Sequence, residues 1–261
     1  MPISVATYNV LASAYAAPRF YPRTSPAQLE RVGREARVVE RVGGLGVDVA
    51  CLQEVEPHVF SALTAALEPL GYVGRFAPKT GKPDGVATFV RAPVAIAATR
   101  VVAFTDGRGG PASGHVALLV TVDYGDGSLT VANTHLKWDK PEVPVADRWA
   151  TRQLPELLRA RRELGDGAAF VLVGDLNFTP TSETARLIAE AGLVDVDPRA
   201  APTCVANGKA RKIDWLAVSE GVAPALGPLP PLEDTTPLPS DVEPSDHVPL
   251  VATLTPRDPN G

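Results

Sequence analysis

The chain has 261 residues, a formal net charge of −5 and two cysteines. This length allows one large hydrophobic core, while the negative charge argues against an extended nucleic-acid footprint, because such footprints need many Lys and Arg contacts to phosphates. Two cysteines do not suggest a disulfide scaffold, no apolar run approaches the roughly 20 residues of a membrane span, and the N-terminus lacks a signal-like pattern, so we expect a cytoplasmic protein with no membrane association.

The hydrophobic periodicity predicts alternating strands and helices. We expect, in chain order, a strand over 2–9, helix 26–44, strand 47–53, helix 58–70, strands 71–76, 85–91, 94–104, 115–123 and 128–135, helix 147–164, strand 169–174, helix 182–191, and strands 213–218 and 248–254. The YGDGS segment at 124–128 predicts a hairpin turn. This order favours two packed sheets with helices outside.

Residues 222–244 are rich in proline and are predicted as a long loop. Because a functional segment follows them, we expect the loop to lie inside a single domain of residues 1–261 rather than to link two domains.

The predicted helix over 26–44 has one apolar and one basic face. The apolar positions at helical spacing are Leu29, Val32, Ala36, Val39 and Val42, and the arginines are Arg31, Arg34, Arg37 and Arg41. We interpret these arginines as a solvated helix face rather than a nucleic-acid-binding stripe.

Six short segments each place an amide, a carboxylate or an imidazole at the end of an apolar run. The segments ATYN, CLQE, NTH, VLVGDLN, KID and SDH contribute Asn9, Glu54, His135, Asp175, Asn177, Asp214, Asp246 and His247. Oxygen ligands and histidines that meet at one edge of a sheet form a site for Mg²⁺-assisted attack on a phosphate ester. The pattern therefore predicts a phosphoesterase that uses Mg²⁺, with Mn²⁺ as an alternative cation.

The residue types suggest individual roles. Glu54 is predicted as a Mg²⁺ ligand, the alternative being an exposed strand end. Asn9 would support the metal or hold a phosphate oxygen, although an asparagine at a strand end is also a common turn former. Asp175 and Asn177 stand two residues apart after a buried strand, so Asp175 can orient the attacking water and Asn177 can donate to a phosphate oxygen, if they are not simply loop residues.

His247 is the predicted catalytic histidine, because imidazole titrates near neutrality. Whether His247 or Asp175 takes the proton of the water stays open at this point. His135 is predicted to donate to the phosphoryl oxygens and so to stabilise the charge that develops in the transition state.

The segments ATYNVL, CLQEVE, NTHLKW, GDLNFTP, KIDWLAVS and PSDHVPL resemble those of the endonuclease/exonuclease/phosphatase family, over roughly residues 3–255. YNVLASAYA, KPDGVATFVR and THLKWDKPEVPVADRW are most similar to the branch of deadenylases, nocturnin and Angel. The resemblance implies a DNase I-like four-layer α/β sandwich, with two mixed β-sheets flanked by helices. It also assigns Asp214 to orient His247, and Asp246 to the metal or its water shell.

A second group of side chains is predicted to bind substrate: Lys137, Trp138, Arg148, His115, Lys209, Arg211 and Lys212. Cations would hold phosphate and the indole would stack on a base, although Trp138 can equally cover the core edge and Arg148 can be solvated. The basic loop before Asp214 fits an anionic substrate. His115 begins a strand where the branch usually has an asparagine near the substrate, whereas His58 is interpreted as a surface or capping residue.

We therefore expect a Mg²⁺-dependent phosphoesterase that acts on RNA 3′ ends or nucleotides and has no obligate protein partner. The branch suggests removal of 3′ adenylates, hydrolysis of a 2′,3′-cyclic phosphate or a 2′,5′ linkage, or removal of a nucleotide 2′-phosphate. The alternatives are an inositol or lipid phosphate phosphoesterase, and an inactive module that binds phosphorylated ligands. The inactive module conflicts with the joint presence of metal ligands, base and orienting carboxylate.

Overall fold

The computed structural model describes residues 1–107, 112–125, 127–140, 142–165 and 168–256. Its strands are β1 (Ile3–Asn9), β2 (Val49–Val55), β3 (Tyr72–Pro78), β4 (Gly85–Arg91), β5 (Ala95–Ala103), β6 (Val116–Tyr124), β7 (Gly127–His135), β8 (Phe170–Asp175), β9 (Leu193–Asp195), β10 (Cys204–Ala206), β11 (Lys209–Arg211), β12 (Asp214–Ser219), β13 (Val222–Leu226) and β14 (Leu250–Pro256). Its α-helices are α1 (Pro26–Leu29), α2 (Arg31–Gly43), α3 (Pro57–Leu67), α4 (Trp149–Arg162) and α5 (Arg186–Glu190).

Most strands belong to two six-stranded mixed sheets. The first sheet has the order β13-β14-β1-β2-β4-β3, and the second has the order β5-β6-β7-β8-β12-β9. Near the middle of each sheet two strands run parallel, β1 with β2 and β7 with β8. Parallel neighbours end at the same edge, and this places the polar residues that terminate them side by side.

The two sheets pack face to face through valine-rich strands. Val5 and Val49 of the first sheet lie in one cluster with Val120, Val131 and Val171 of the second. Helices α2 and α3 cover the outer face of the first sheet, and α4 and α5 cover that of the second. The predicted four-layer sandwich is therefore confirmed.

The predicted helix over 26–44 is broken at Glu30, whose ψ of 127° is not helical. The Glu30 carboxylate accepts hydrogen bonds from the amides of Val32 and Gly33, so it caps α2. The break changes the helical phase. Val32, predicted to face the core, is 73% exposed, while Arg34, predicted to be solvated, is 1% exposed.

The Pro-rich segment is not wholly a loop. Its first five residues form β13, which pairs with β14 at the edge of the first sheet. An edge strand tolerates Pro224, because one side of the strand needs no ladder donor. The prediction of a loop over 222–244 is therefore wrong for Val222–Leu226.

Several short elements escaped the periodicity analysis. Strands β9, β10 and β11 have three residues each, too few to show a pattern. The predicted helix over 182–191 is a short 3-10 turn over Glu183–Ala185 followed by α5. Tyr124 pairs with Gly127 as a hairpin requires, but Asp126 of the predicted turn lies outside the described residues.

Within the described ranges, no helix is long and apolar enough to span a membrane.

Candidate active site

The predicted polar residues meet at one edge of the two sheets. Asn9, His135 and Asp175 are the last residues of β1, β7 and β8, and Asp214 is the first residue of the antiparallel β12. In the ladder, Asp175 is paired with both His135 and Asp214. The fold therefore brings together residues that are up to 205 positions apart in the chain, from Asn9 to Asp214.

Glu54 occupies a bulge near the end of β2, where the pairing register shifts and its φ is +58°. Its carboxylate accepts a hydrogen bond from the Asn9 amide at 3.0 Å and from the backbone amide of Ala12 at 2.9 Å. The Asn9 amide also donates to Asp175 at 3.1 Å. Burial raises the pKa of Glu54, and the nearby Asp246 carboxylate adds to this effect.

His247 forms a pair with Asp214. Its Nδ1 lies 2.8 Å from Asp214 Oδ2, which also accepts a hydrogen bond from the Thr203 hydroxyl at 2.6 Å. Its Nε2 lies 3.7 Å from Asp175 Oδ2 and 3.9 Å from Asp246 Oδ1. Burial opposes a charge on the ring, but the Asp214 and Asp246 carboxylates outweigh it and hold the pKa of His247 well above its usual value.

Asp175 connects the two histidines. Its Oδ2 is 3.7 Å from Nε2 of His135 as well as 3.7 Å from Nε2 of His247. Burial raises the pKa of Asp175 to about 7. The Asp214 and Glu54 carboxylates add to this rise, while His247 and the Asn9 amide oppose it. A carboxyl group of this kind exchanges protons near neutral pH.

His135 lies between two hydrogen-bond donors. The Lys79 ammonium is 3.1 Å from Nδ1, and the side-chain amide of Asn177 is 3.1 Å from Nε2. Burial and the positive charge of Lys79 lower the pKa of His135 well below its usual value, so the ring is neutral at pH 7. Asn177, whose φ is +57°, also donates to the Leu136 carbonyl at 2.8 Å.

His115 lies beside this group. Its ring centroid is 6.2 Å from that of His135, edge to face. The residue is 7% exposed, and its Nδ1 has no hydrogen-bond partner among the described residues. Burial and Lys79 lower the pKa of His115 to about 3.

The residues predicted after the THL segment lie between the end of β7 and the start of α4. Lys137 follows His135 and Leu136, and its ammonium stacks over the Trp149 ring at 3.6 Å. Trp138 is 55% exposed, so it does not cover the core edge. Arg148 donates from Nε to the Val143 carbonyl at 3.0 Å, directly before α4.

The basic segment before Asp214 is not the free loop that the sequence suggested. Lys209 and Arg211 lie on β11, where Lys209 pairs with Asp234 at 2.8 Å and Arg211 is exposed. Lys212 is 3% exposed and forms ion pairs with Asp195 and Asp197. The structure therefore commits the Lys212 ammonium to an internal ion-pair cluster.

Comparison with known proteins identifies the family. A model of the endonuclease/exonuclease/phosphatase family matches residues 6–247. The chain belongs to this family. The members of this family are phosphodiesterases, nucleases and phosphatases.

Individual relatives either have low sequence identity to this chain or match only a short part of it. The 2′,5′-phosphodiesterase 12 of Mus musculus is 25% identical over 224 residues, which cover 74% of this chain and 36% of that protein. Its Homo sapiens counterpart is 40% identical over 95 residues, which cover 34% of this chain and 15% of that protein. The chain thus aligns with about a third or less of the length of these relatives.

Solved structures show the likeness in fold. ANGEL2, a 2′,3′-cyclic phosphatase, in complex with adenosine-2′,3′-vanadate has a TM-score of 0.86 at 22% identity, covering 97% of this chain and 95% of that one. The human Nocturnin catalytic domain with a bound sulfate anion has a TM-score of 0.76 at 23% identity, covering 98% and 94%.

The acidic residues at this edge of the sheets fit a divalent cation. Ligand atoms of Asp175, Asp214 and His247 lie within 4.8 Å of one another, and the buried Asp214 Oδ1 has no hydrogen-bond partner in the part of the chain that the structure describes. Glu54 and Asp246 raise the local negative charge further. So many buried carboxylates are costly without a cation, and hard oxygen donors are the ligands that Mg²⁺ and Mn²⁺ prefer.

Lys79, its partner Asp84 and Tyr21 belong to the site region but were not identified as site residues by the sequence analysis. Lys79 follows β3 and pairs with Asp84 at 2.5 Å, although both side chains are almost fully buried. Tyr21 donates to Asp246 at 3.1 Å. Lys79 comes one residue after β3 at the same sheet edge, so a search for polar residues at strand ends, which identified Glu54, would also have identified Lys79. Tyr21 lies in an irregular segment, where the sequence shows no hydrophobic periodicity.

Proposed function

We propose that this protein is a phosphoesterase that depends on a divalent cation, Mg²⁺ or in its place Mn²⁺, and that hydrolyses phosphate esters at RNA 3′ ends or on nucleotides. The observation that carries the proposal is the Asp214–His247 pair at 2.8 Å, with Nε2 of the same imidazole 3.7 Å from Asp175. We also propose that residues 1–261 act as one cytoplasmic domain without an obligate protein partner.

Glu54, Asn9 and Asp246 are the proposed ligands of the cation, which would polarise a phosphate oxygen and acidify water. Asp214 keeps a proton on Nδ1 of His247 and stabilises the imidazolium when Nε2 gains a proton. Asp175 and His247 together form the proton-exchanging pair of the site.

On the other side of Asp175, His135 and Asn177 are the proposed contacts to the nonbridging phosphate oxygens. The Lys79 charge lies 3.1 Å from the His135 ring, inside a buried site where electrostatic interactions are strong. Such preorganised donors stabilise the charge that develops in the transition state.

The ribose 2′ oxygen is the proposed position of the scissile ester. Two of the similar proteins bear this chemistry in their names, 2′,5′-phosphodiesterase 12 and the 2′,3′-cyclic phosphatase ANGEL2. The inositol or lipid phosphate alternative has less support, because the predicted basic residues Lys209 and Lys212 are engaged in ion pairs rather than forming a free cationic cluster.

A substrate panel tests the proposal. Purified protein is supplied with Mg²⁺ and 2′,5′-linked triadenylate, matched 3′,5′-linked triadenylate, RNA ending in a 2′,3′-cyclic phosphate, NADPH or inositol trisphosphate. We expect turnover of a 2′-linked substrate at least about tenfold above the matched 3′,5′ compound in kcat/KM, which corresponds to about 1.4 kcal/mol of transition-state discrimination. Chelator and Glu54→Gln should remove this activity.

The other outcomes of the panel are informative. Preferential cleavage of inositol trisphosphate would replace the proposed substrate class. Binding of these ligands without turnover of any of them would indicate an inactive phosphate-binding module.

A further inference from the structure

Arg34 is a buried cation on the outer side of the first sheet. It is 1% exposed and lies in phase with the buried Val38 and Val42 of α2, one and two helical turns away. A charge in an apolar stripe is costly unless its donors find partners, and among the described residues Nη1 and Nη2 have partners while Nε has none. The partners of this guanidinium therefore indicate what its burial achieves.

The guanidinium of Arg34 binds two separate segments of the chain, residues 10–13 and Pro244. Nη1 donates to the carbonyls of Val10 at 3.1 Å and Pro244 at 3.3 Å, and Nη2 donates to the Ser13 hydroxyl at 2.9 Å. These segments are up to 234 positions apart in the sequence, from Val10 to Pro244.

Both segments lie next to proposed cation ligands or contact one. Val10 directly follows Asn9. Pro244 is two residues before Asp246. Ser13 is next to Ala12, whose backbone amide donates to the Glu54 carboxylate at 2.9 Å.

Ser245 reinforces the same arrangement. Its hydroxyl donates to the Asn9 carbonyl at 2.6 Å and accepts a hydrogen bond from the His247 amide at 3.1 Å. Arg34 and Ser245 thus connect the end of β1 to the segment 244–247 from two sides.

We propose that Arg34 is a positioning residue, which fixes the backbone next to Asn9 and Asp246, and through the Ala12 amide the Glu54 carboxylate, and so preorganises the divalent-cation site. The inference rests on the proposed function for the identity of the cation ligands. The planar guanidinium suits this task because its donors point in fixed directions, whereas a lysine ammonium offers a single point of attachment. Outer contacts of this kind commonly change metal affinity by about 10- to 100-fold when they are removed.

Three variants of the full chain test the inference. Arg34→Met removes the donors at similar length, and Arg34→Lys keeps only the charge and one contact point. Arg37→Met is the matched control, because Arg37 is on the same helix, three residues further, and donates to the Gln28 carbonyl of α1 at 3.1 Å. Mn²⁺ alone is titrated into each protein, and free Mn²⁺ is measured by electron paramagnetic resonance at a temperature where circular dichroism shows the variant folded.

For Arg34→Met we expect the Mn²⁺ dissociation constant to rise about 10- to 100-fold. With substrate, kcat should fall while KM changes little, since the substrate contacts are not altered. Arg34→Lys should lie between Arg34→Met and wild type, and Arg37→Met should match wild type within about twofold in Mn²⁺ affinity.

A folded Arg34→Met protein that binds Mn²⁺ like wild type overturns the inference. If Arg34→Met does not fold, unchanged Mn²⁺ affinity in folded Arg34→Lys overturns it in the same way. A loss of affinity equal to that of Arg37→Met would show a general effect of α2 stability and also overturns it. Wild type that binds Mn²⁺ but hydrolyses no substrate would refute the proposed function alone, and the Mn²⁺ comparison would still decide the role of Arg34.

Discussion

Nδ1 of His247 lies 2.8 Å from Oδ2 of Asp214, the first residue of β12. The carboxylate can only accept at this point, so Nδ1 carries a proton and Nε2 is the nitrogen that faces Asp175. The same Asp214 oxygen accepts from Thr203 at 2.6 Å, which fixes the orientation of the carboxylate. Asp214 therefore fixes the direction of the imidazole and, together with Asp246, raises its proton affinity.

This geometry predicts that His247 and Asp214 act as one unit. His247→Ala should lower kcat by about 10³-fold or more and Asp214→Asn by somewhat less, and the double variant should resemble His247→Ala alone. The measurement is kcat in a double-mutant cycle on the best substrate of the panel. Strictly additive losses would show that the two side chains are not coupled.

Lys79 is predicted to add to the burial that keeps His135 neutral. In the paired variant Lys79→Met/Asp84→Asn, which avoids an unpaired buried carboxylate, the pKa of His135 should rise towards its usual value, because a positive charge 3.1 Å away has been removed. The titration of the His135 resonance by NMR measures this change. We also expect kcat to fall about 100-fold, the usual effect of removing a preorganised donor.

The control for this experiment is Lys82→Met. Lys82 lies in the same connection between β3 and β4 but is exposed. An unchanged His135 titration in the paired variant, or an equal change in Lys82→Met, would contradict the assigned role of Lys79.

Asp48 provides a stability test away from the site. Its carboxylate accepts from the Ser4 amide at 2.9 Å and from Arg91 at 3.2 Å. Burial favours the neutral form, but the bonds from Ser4 and Arg91 outweigh this effect and lower the pKa of Asp48. The pKa of Asp48 is lower in the folded state than in the unfolded state, where it is near 4. The contribution of Asp48 to stability is therefore present above the unfolded-state pKa and is lost as the pH falls through the folded-state pKa.

Asp48→Asn should therefore lower the free energy of unfolding by about 1–2 kcal/mol at pH 7. The difference from wild type should shrink as the pH is lowered from about 4.5 towards 3. Urea unfolding at a series of pH values measures it. A difference that is constant over this range would show that the charge of Asp48 is not involved.

Substrate affinity should depend only weakly on salt. The net charge is −5, and Lys212 is committed to Asp195 and Asp197 inside the protein. Each phosphate neutralised on a single strand contributes about −0.7 to the slope of log K against log salt, so a few contacts give a slope of roughly −1 to −3. A much steeper slope, or far faster cleavage of long RNA than of a short oligonucleotide with the same 3′ end, would indicate an extended RNA-binding groove.

The ends of the central strands were accessible to sequence analysis. An apolar run that stops at Asn9, Glu54 or Asp175 shows where a buried strand reaches an edge, and the polar side chain there marks the edge. Parallel pairing then brings such ends together without any knowledge of side-chain contacts. The fold class followed from the same alternation of strands and helices.

Arg34 shows why other parts were not accessible. The sequence analysis continued one helical phase across Glu30, and this phase placed Val32 inside and Arg34 outside. The structure reverses both positions, because the Glu30 carboxylate starts a new helix. Lys212 was misjudged for a similar reason, since its partners Asp195 and Asp197 become neighbours only after folding.

Cation dependence in wild type and Glu54→Gln tests the central claim most directly. Glu54→Gln removes the charge at nearly constant shape, so the Asn9 and Ala12 contacts around it can be largely retained. The measurement is the rate of phosphodiester hydrolysis as Mg²⁺ is titrated into chelator-treated protein. We predict no turnover without cation, saturating activation of wild type, and a loss of about 10²-fold or more in activation for a folded Glu54→Gln protein. Turnover that persists in chelator, or a Glu54→Gln protein with wild-type activation by Mg²⁺, would contradict the account.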